Sequence, residues 1–116
     1  MNAAGIFVDT IGDGGSILNS GIIYVEAEAY AETSSAEANA FGVNVGTLES
    51  GGSISISISG TIEANAEASD TAIANAFGIN VKILESDGSI ANSGIIDASA
   101  DASSSAEANA HGINVE

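Results

Sequence analysis

The chain has 116 residues and a mass of 11.3 kDa, which is enough for one small domain. Sixteen acidic side chains stand against a single basic one, Lys82, so the formal charge is −15. We expect no nucleic-acid partner, because phosphate contacts need clustered Lys and Arg. The lack of Cys excludes a disulfide framework and a thiolate metal site. No apolar run approaches the about 20 residues of a membrane-spanning helix, so we also expect no membrane insertion.

One motif recurs along the whole chain. Phe-Gly-Val-Asn-Val at 41–45 returns as Phe-Gly-Ile-Asn-Val at 77–81 and as His-Gly-Ile-Asn-Val at 111–115. Copies differ in length, with two extra residues at 55–59 that we assign to a strand, where an even insertion preserves which side chains face inward. We predict a single domain, 1–116, with repeats at about 4–40, 41–76 and 77–110 and a partial repeat at 111–116.

Within each repeat the hydrophobic period is two, which predicts strands. Residues 62–68 and 96–102 alternate strictly between an apolar and a polar side chain. Ala and Glu favour helices, but acids on every second residue would be scattered around a helix. A repeat of this length made of short strands fits one coil of a parallel β-helix. We therefore predict an all-β fold, a β-solenoid of about three coils of 34–37 residues.

Two segments carry a family resemblance. Gly-Ser-Ile-Ala-Asn-Ser-Gly-Ile-Ile at 88–96 and Ala-Phe-Gly-Ile-Asn-Val at 76–81, with the Ala alternation, resemble the passenger repeats of bacterial autotransporters and haemagglutinin-like surface proteins. The resemblance covers essentially the whole chain. It implies a right-handed β-helix and an extracellular or cell-surface location. It implies no particular activity, because these families include adhesins, fibres and toxins.

Stacking of the repeats predicts which side chains lie above one another. The inward ladders form a thick half of the coil and comprise Ile6, Val43, Ile79 and Ile113, and Val8, Val45, Val81 and Val115. The alternating Ala predicts a thin half, where two strands approach closely. Gly42, Gly78 and Gly112 stand where the alternation changes phase, which indicates a bulge or corner. Outward amide ladders are predicted at Asn39, Asn75 and Asn109, and at Asn44, Asn80 and Asn114.

The residues do not favour an enzyme. Phe41, Phe77 and His111 fall at one repeat position and form a candidate binding stripe, but His111 is the only His. A polysaccharide lyase needs Lys or Arg as base and charge partner, and a glycosidase needs paired carboxylates with aromatic platforms for the sugar. With one Lys, two Tyr, three Phe and no Trp, we assign no catalytic residue and predict a non-enzymatic protein.

Acidic side chains also align between repeats. Glu63 falls above Asp97, and Glu67 above Asp101. Adjacent coils lie about 4.8 Å apart, so these like charges repel. Ca²⁺ bound between coils would relieve the repulsion, since it takes 6–8 oxygen ligands. The alternative is a solvated acidic face that keeps a β surface soluble, with no cofactor.

The chain starts and finishes at the same phase of the repeat, because 2–8 corresponds to 109–115. We find no capping element, so we expect both ends to be open sheet edges. One interpretation is an extracellular structural protein that forms filaments by head-to-tail stacking, with itself as partner. The alternative is an adhesin-type binding module for a glycan or receptor, cut from a longer surface fibre.

Overall fold

The structure is a computed structural model that describes residues 1–31 and 36–116. Within these residues the chain forms ten strands and no helix. The strands are β1 (Asn2–Ile11), β2 (Ser16–Asn19), β3 (Ile22–Ala31), β4 (Glu37–Leu48), β5 (Ser53–Ile56), β6 (Thr61–Asp70), β7 (Ile73–Leu84), β8 (Ser89–Asn92), β9 (Ile95–Ala102) and β10 (Glu107–Val115).

Every strand pairs in parallel with the strand three places along the chain. The long sheet has the order β1-β4-β7-β10, the short sheet β2-β5-β8, and the Ala-rich sheet β3-β6-β9. One coil therefore contributes one strand to each sheet. This confirms the predicted all-β parallel solenoid of about three coils. The shortest molecular extent is 16 Å, as expected for so few layers of strands.

Burial follows the alternation read from the sequence. In β6, Ile62, Ala64 and Ala66 are buried, whereas Glu63 and Asn65 between them are only half-buried. The strand pleat puts successive side chains on opposite faces, so every Ala points inward and every polar residue outward. Tertiary pairing thereby overrides the helix propensity of Ala and Glu.

The interior has two parts. One cluster is made almost entirely of Ala from the long and Ala-rich sheets, such as Ala40, Ala66 and Ala76. The other contains Ile, Val and Leu, including Leu48, Ile54 and Ile62. Small methyl groups let two sheets lie close together, while the larger side chains fill the wider part of each coil. The predicted division of the interior into an Ala part and an Ile, Val and Leu part is therefore present.

In the long strands, a glycine lies where the alternation of inward-facing and outward-facing residues shifts by one position. In β7, Ala74 and Ala76 are buried on alternate positions, and then Gly78 and Ile79 are buried in succession. A Cβ on Gly78 would lie far inside van der Waals distance of Ile96 Cγ2 and the carbonyl oxygen of Gly112. The backbone of the next coil and a core side chain thus leave no room for a side chain here.

One expectation about the repeat lengths was wrong. The extra residues of the second repeat do not extend a strand, because β5 pairs with β2 only as far as Ile56 opposite Asn19. They lie in the turn between β5 and β6, where Ile58 is 88% exposed. A turn accepts added residues without shifting the strand register, so the ladders resume at Ile22 opposite Thr61.

Candidate functional site

The inward ladders take the register predicted for them. Val43 pairs with Ile79 and Ile79 with Ile113, while Ile6 pairs with Val43 on the other side. The second ladder runs in the same order through Val8, Val45, Val81 and Val115. These side chains position the polar and aromatic groups on the outer surface, because each outward residue is fixed by its inward neighbours.

Two ladders of Asn amides run along the coil axis. Asn39 Nδ2 donates to Asn2 Oδ1 over 2.7 Å, Asn75 to Asn39 over 2.9 Å, and Asn109 to Asn75 over 3.0 Å. The second ladder uses the side chains of Asn114, Asn80 and Asn44, with distances of 2.7 and 3.0 Å. Asn39, Asn75 and Asn80 each donate in one direction and accept from the other, so the ladders hold neighbouring coils in register.

The candidate binding stripe is a stack of rings. The centroids of Phe41 and Phe77 are 5.1 Å apart with an interplanar angle of 8°, and those of Phe77 and His111 are 5.2 Å apart at 7°. Ring faces lie against one another, so the Phe rings present mainly their edges to the outside. A sugar ring binds on an aromatic face. The exposed His111 ring at the end of the stack is therefore the ring best placed to take a further planar group.

The acidic pairs also lie in register. Glu63 is opposite Asp97, Glu67 is opposite Asp101, and Glu28 extends the second pair to three carboxylates. The part of the chain that the structure describes contains no group of three or more His, Asp or Glu side chains arranged to hold a metal ion. The carboxylates of Glu28, Glu67 and Asp101 line an open surface cavity of about 570 Å³. All three side chains are exposed.

Two Asn residues that the sequence left without a role complete tight turns. Asn19 Oδ1 accepts from Gly21 N over 3.1 Å, and Asn92 Oδ1 accepts from Gly94 N over 3.1 Å. Asn19, which is buried, also donates to the carbonyl oxygen of Thr61 over 3.1 Å. The signal for this role was the Asn-Ser-Gly spacing at 19–21 and 92–94, because an Asn side chain commonly bonds the backbone N–H two residues later.

Equivalent residues of different repeats differ in exposure at the sheet edges. Ile79 and Val81 are fully buried, whereas Ile113 and Val115 at the same repeat position are 46% and 45% exposed. On the opposite edge Ile6 and Val8 are half-buried. Within the described residues, the last strand of each sheet has a neighbour on one side only. Apolar side chains and unpaired backbone groups therefore meet on both end faces.

These features define the molecule as a parallel β-solenoid repeat protein with amide, aromatic and acidic ladders on its surface. Searches against protein-family models, curated proteins and solved structures found no match. Residues 1–31 and 36–116 include no helix long and apolar enough to cross a membrane.

Proposed function

We propose that this chain is a non-enzymatic structural protein of the cell surface, and that its coils stack head to tail on further copies to form a filament. The observation that carries the proposal is the exposure of Ile113 and Val115 on a flat end face, at positions fully buried one coil earlier. Exposed strand edges of this kind pair readily with another strand of matching pattern.

The match between the two end faces supports stacking. Continuing the observed registers by one coil places Ile17 of the next copy over Ile90, and Ile23 over Ile96. The Ala-rich sheet continues in the same way, with Ala27 over Ala100. Both faces present the same apolar pattern in the same order, so a second copy is the partner of best complementarity.

The outer surface supports a structural role. Its amides and rings contact the equivalent groups of the next coil, as with Asn80 on Asn44 and Phe77 on Phe41. Among the described residues, no buried side-chain N or O atom lacks a hydrogen-bond partner. The high negative charge keeps the sides of such a filament apart.

Negative-stain electron microscopy of the purified protein tests this proposal. We expect unbranched filaments that lengthen with protein concentration. Ile113→Lys puts a charge on the end face and should abolish them, because a buried Lys without a partner is strongly unfavourable. Ile58→Lys is the matched control: this side chain is 88% exposed in a turn of the middle coil, so filaments should persist. Dispersed particles of wild-type protein at all concentrations would contradict the proposal.

The alternative is an adhesin-type module that binds a glycan or receptor. It rests on the exposed His111 ring at the end of the stack with Phe77. We place it second, because the Phe rings cover one another's faces. A glycan array probed with wild-type protein and with His111→Ala separates the two functions: the structural proposal expects no glycan to be retained, and retention lost in His111→Ala would favour the adhesin.

A further inference from the structure

The first and last strands occupy the same place in the repeat. β1 pairs with β4 on one side of the long sheet, and β10 pairs with β7 on the other. If the β2 and β3 strands of a second copy stack on β8 and β9 of the first, the second copy's β1 falls in the layer that β10 already fills. Two strands cannot share one layer, so stacking with all three sheets continuous requires one of them to leave.

We propose that β1 is the strand that leaves, and that β10 of one copy takes its place beside β4 of the next. This inference rests on the proposed stacking and identifies the joint between subunits. The occupant of the vacated edge is a second copy of this chain, through the β10 strand, and the displaced segment is Asn2–Ile11.

The side chains of β10 complement β4 better than those of β1 do. Opposite Phe41, β1 offers only Ala4, whereas β10 carries His111 at the equivalent position and already stacks it on Phe77. Strand exchange would place His111 against Phe41 of the next copy. The ring stack would then run unbroken through the joint, because Phe41 and Phe77 are themselves stacked.

The amide ladder gives the same result at a second position. Opposite Asn44, β1 presents Phe7, which is 70% exposed and cannot hydrogen-bond an amide. β10 presents Asn114, which donates to Asn80 over 2.7 Å in its own sheet. In the joint, Asn44 of the next copy would meet Asn114, and the ladder would continue without the break that Phe7 makes.

Two core positions are satisfied by either strand. Ile113 and Val115 replace Ile6 and Val8 opposite Val43 and Val45. The exchange gives up the contact of Ile11 with Leu48, because β10 ends at Val115, and it adds one ring contact and one amide contact. It also brings Glu107 opposite Glu37 of the next copy. The stacked Ala-rich sheets likewise bring Asp101 opposite Glu28 of the next copy. These like-charge pairs predict that added salt promotes the joint.

Paired cysteines distinguish the joint from simple stacking. Asn44→Cys with Asn114→Cys tests the exchanged strand: within one chain Asn80 lies between these two positions, so a disulfide forms only across a joint. Under oxidation we expect a series of covalent multimers rising in steps of 11.3 kDa. Phe7→Cys with Asn114→Cys tests a joint in which β1 stays in place, and this variant should remain monomeric on a non-reducing gel.

A disulfide lock, which ties β1 to β4 within one chain, gives a second test that leaves β10 unaltered. Asn2 and Asn39 lie opposite each other on β1 and β4, within the part of β1 that β10 would replace, so an Asn2→Cys/Asn39→Cys disulfide holds β1 in its own chain. Filaments should be lost under oxidation and return on reduction. Filaments from the oxidised lock, or multimers from the Phe7→Cys pair, would overturn the strand exchange but leave the stacking proposal standing. Absence of filaments in wild-type protein would instead overturn the stacking proposal.

Discussion

The imidazole of His111 lies flat on the ring of Phe77, with centroids 5.2 Å apart and planes inclined by 7°. This contact repeats the geometry of Phe77 on Phe41 one coil earlier. The last strand therefore keeps the outer ladder of the solenoid, although Ile113 beside it is 46% exposed. Strand β10 is built like β7 and β4, and within the described residues it has a neighbouring strand on one side only.

The corner glycines give the first prediction. Gly78→Ala should lower the free energy of unfolding by about 1–3 kcal/mol or more, because the added Cβ meets Ile96 and the backbone of Gly112. Gly112→Ala is the matched control at the same repeat position. Its nearest contact would be Ile96 Cγ2 at 3.9 Å, so we expect a change within about 0.5 kcal/mol. Urea unfolding measures both, and equal effects would contradict the corner packing.

The inward ladder gives a second prediction. Ile79→Ala removes a fully buried side chain and should cost about 2–5 kcal/mol. Ile113→Ala makes the same chemical change where the side chain is 46% exposed, so its cost should be less than about half as large. The comparison is made by chemical denaturation at low protein concentration, where filaments are absent. A cost for Ile113→Ala equal to that of Ile79→Ala would mean that the end face is covered in solution.

A third prediction concerns the amide ladder. Asn80 is 4% exposed and joins Asn114 to Asn44. Asn80→Ala leaves one donor and one acceptor without partners and should destabilise the fold by about 1–3 kcal/mol. Asn2→Ala removes an exposed amide at the start of the other ladder and should stay within about 0.5 kcal/mol. Thermal unfolding followed by circular dichroism gives the two values, and similar melting temperatures would argue against the ladder as a stabilising element.

The acidic face gives a fourth prediction. Glu67 lies between Glu28 and Asp101, so Glu67→Gln should raise stability by up to about 1 kcal/mol, and the gain should shrink as salt is added. Glu26→Gln is the control, because its neighbour in register is Asn65. The calcium interpretation makes a different prediction for the wild-type protein. It requires millimolar Ca²⁺ to raise the melting temperature well above the effect of Mg²⁺ at equal ionic strength, whereas screening alone predicts equal rises.

Much of the fold was predictable because its signals are local and repeated. Strict alternation at 62–68 fixed the strand and its inward face, and the recurring motif at 41–45 and 77–81 fixed the register between coils. The phase change at Gly78 was predictable for the same reason, since a glycine interrupts an otherwise regular pattern. Such repeats leave few alternative pairings.

Features that were not predicted lie in turns or concern how outer side chains are covered. The pattern around 55–59 alternates like a strand, yet Ser57 and Ile58 belong to a turn, because β2 ends at Asn19 and offers nothing beyond it to pair with. The turn-closing role of Asn19 was missed although the Asn-Ser-Gly spacing at 19–21 indicates it. The sequence placed Phe41, Phe77 and His111 at one repeat position, but only the geometry showed that their faces lie against one another.

The proposed filament requires that the end faces of the solenoid bind other copies of the chain. Sedimentation velocity over a hundredfold range of protein concentration measures this directly. We predict that the weight-average mass rises steadily above 11.3 kDa with concentration, without reaching a fixed oligomer. A single species of 11.3 kDa at every concentration would contradict the claim.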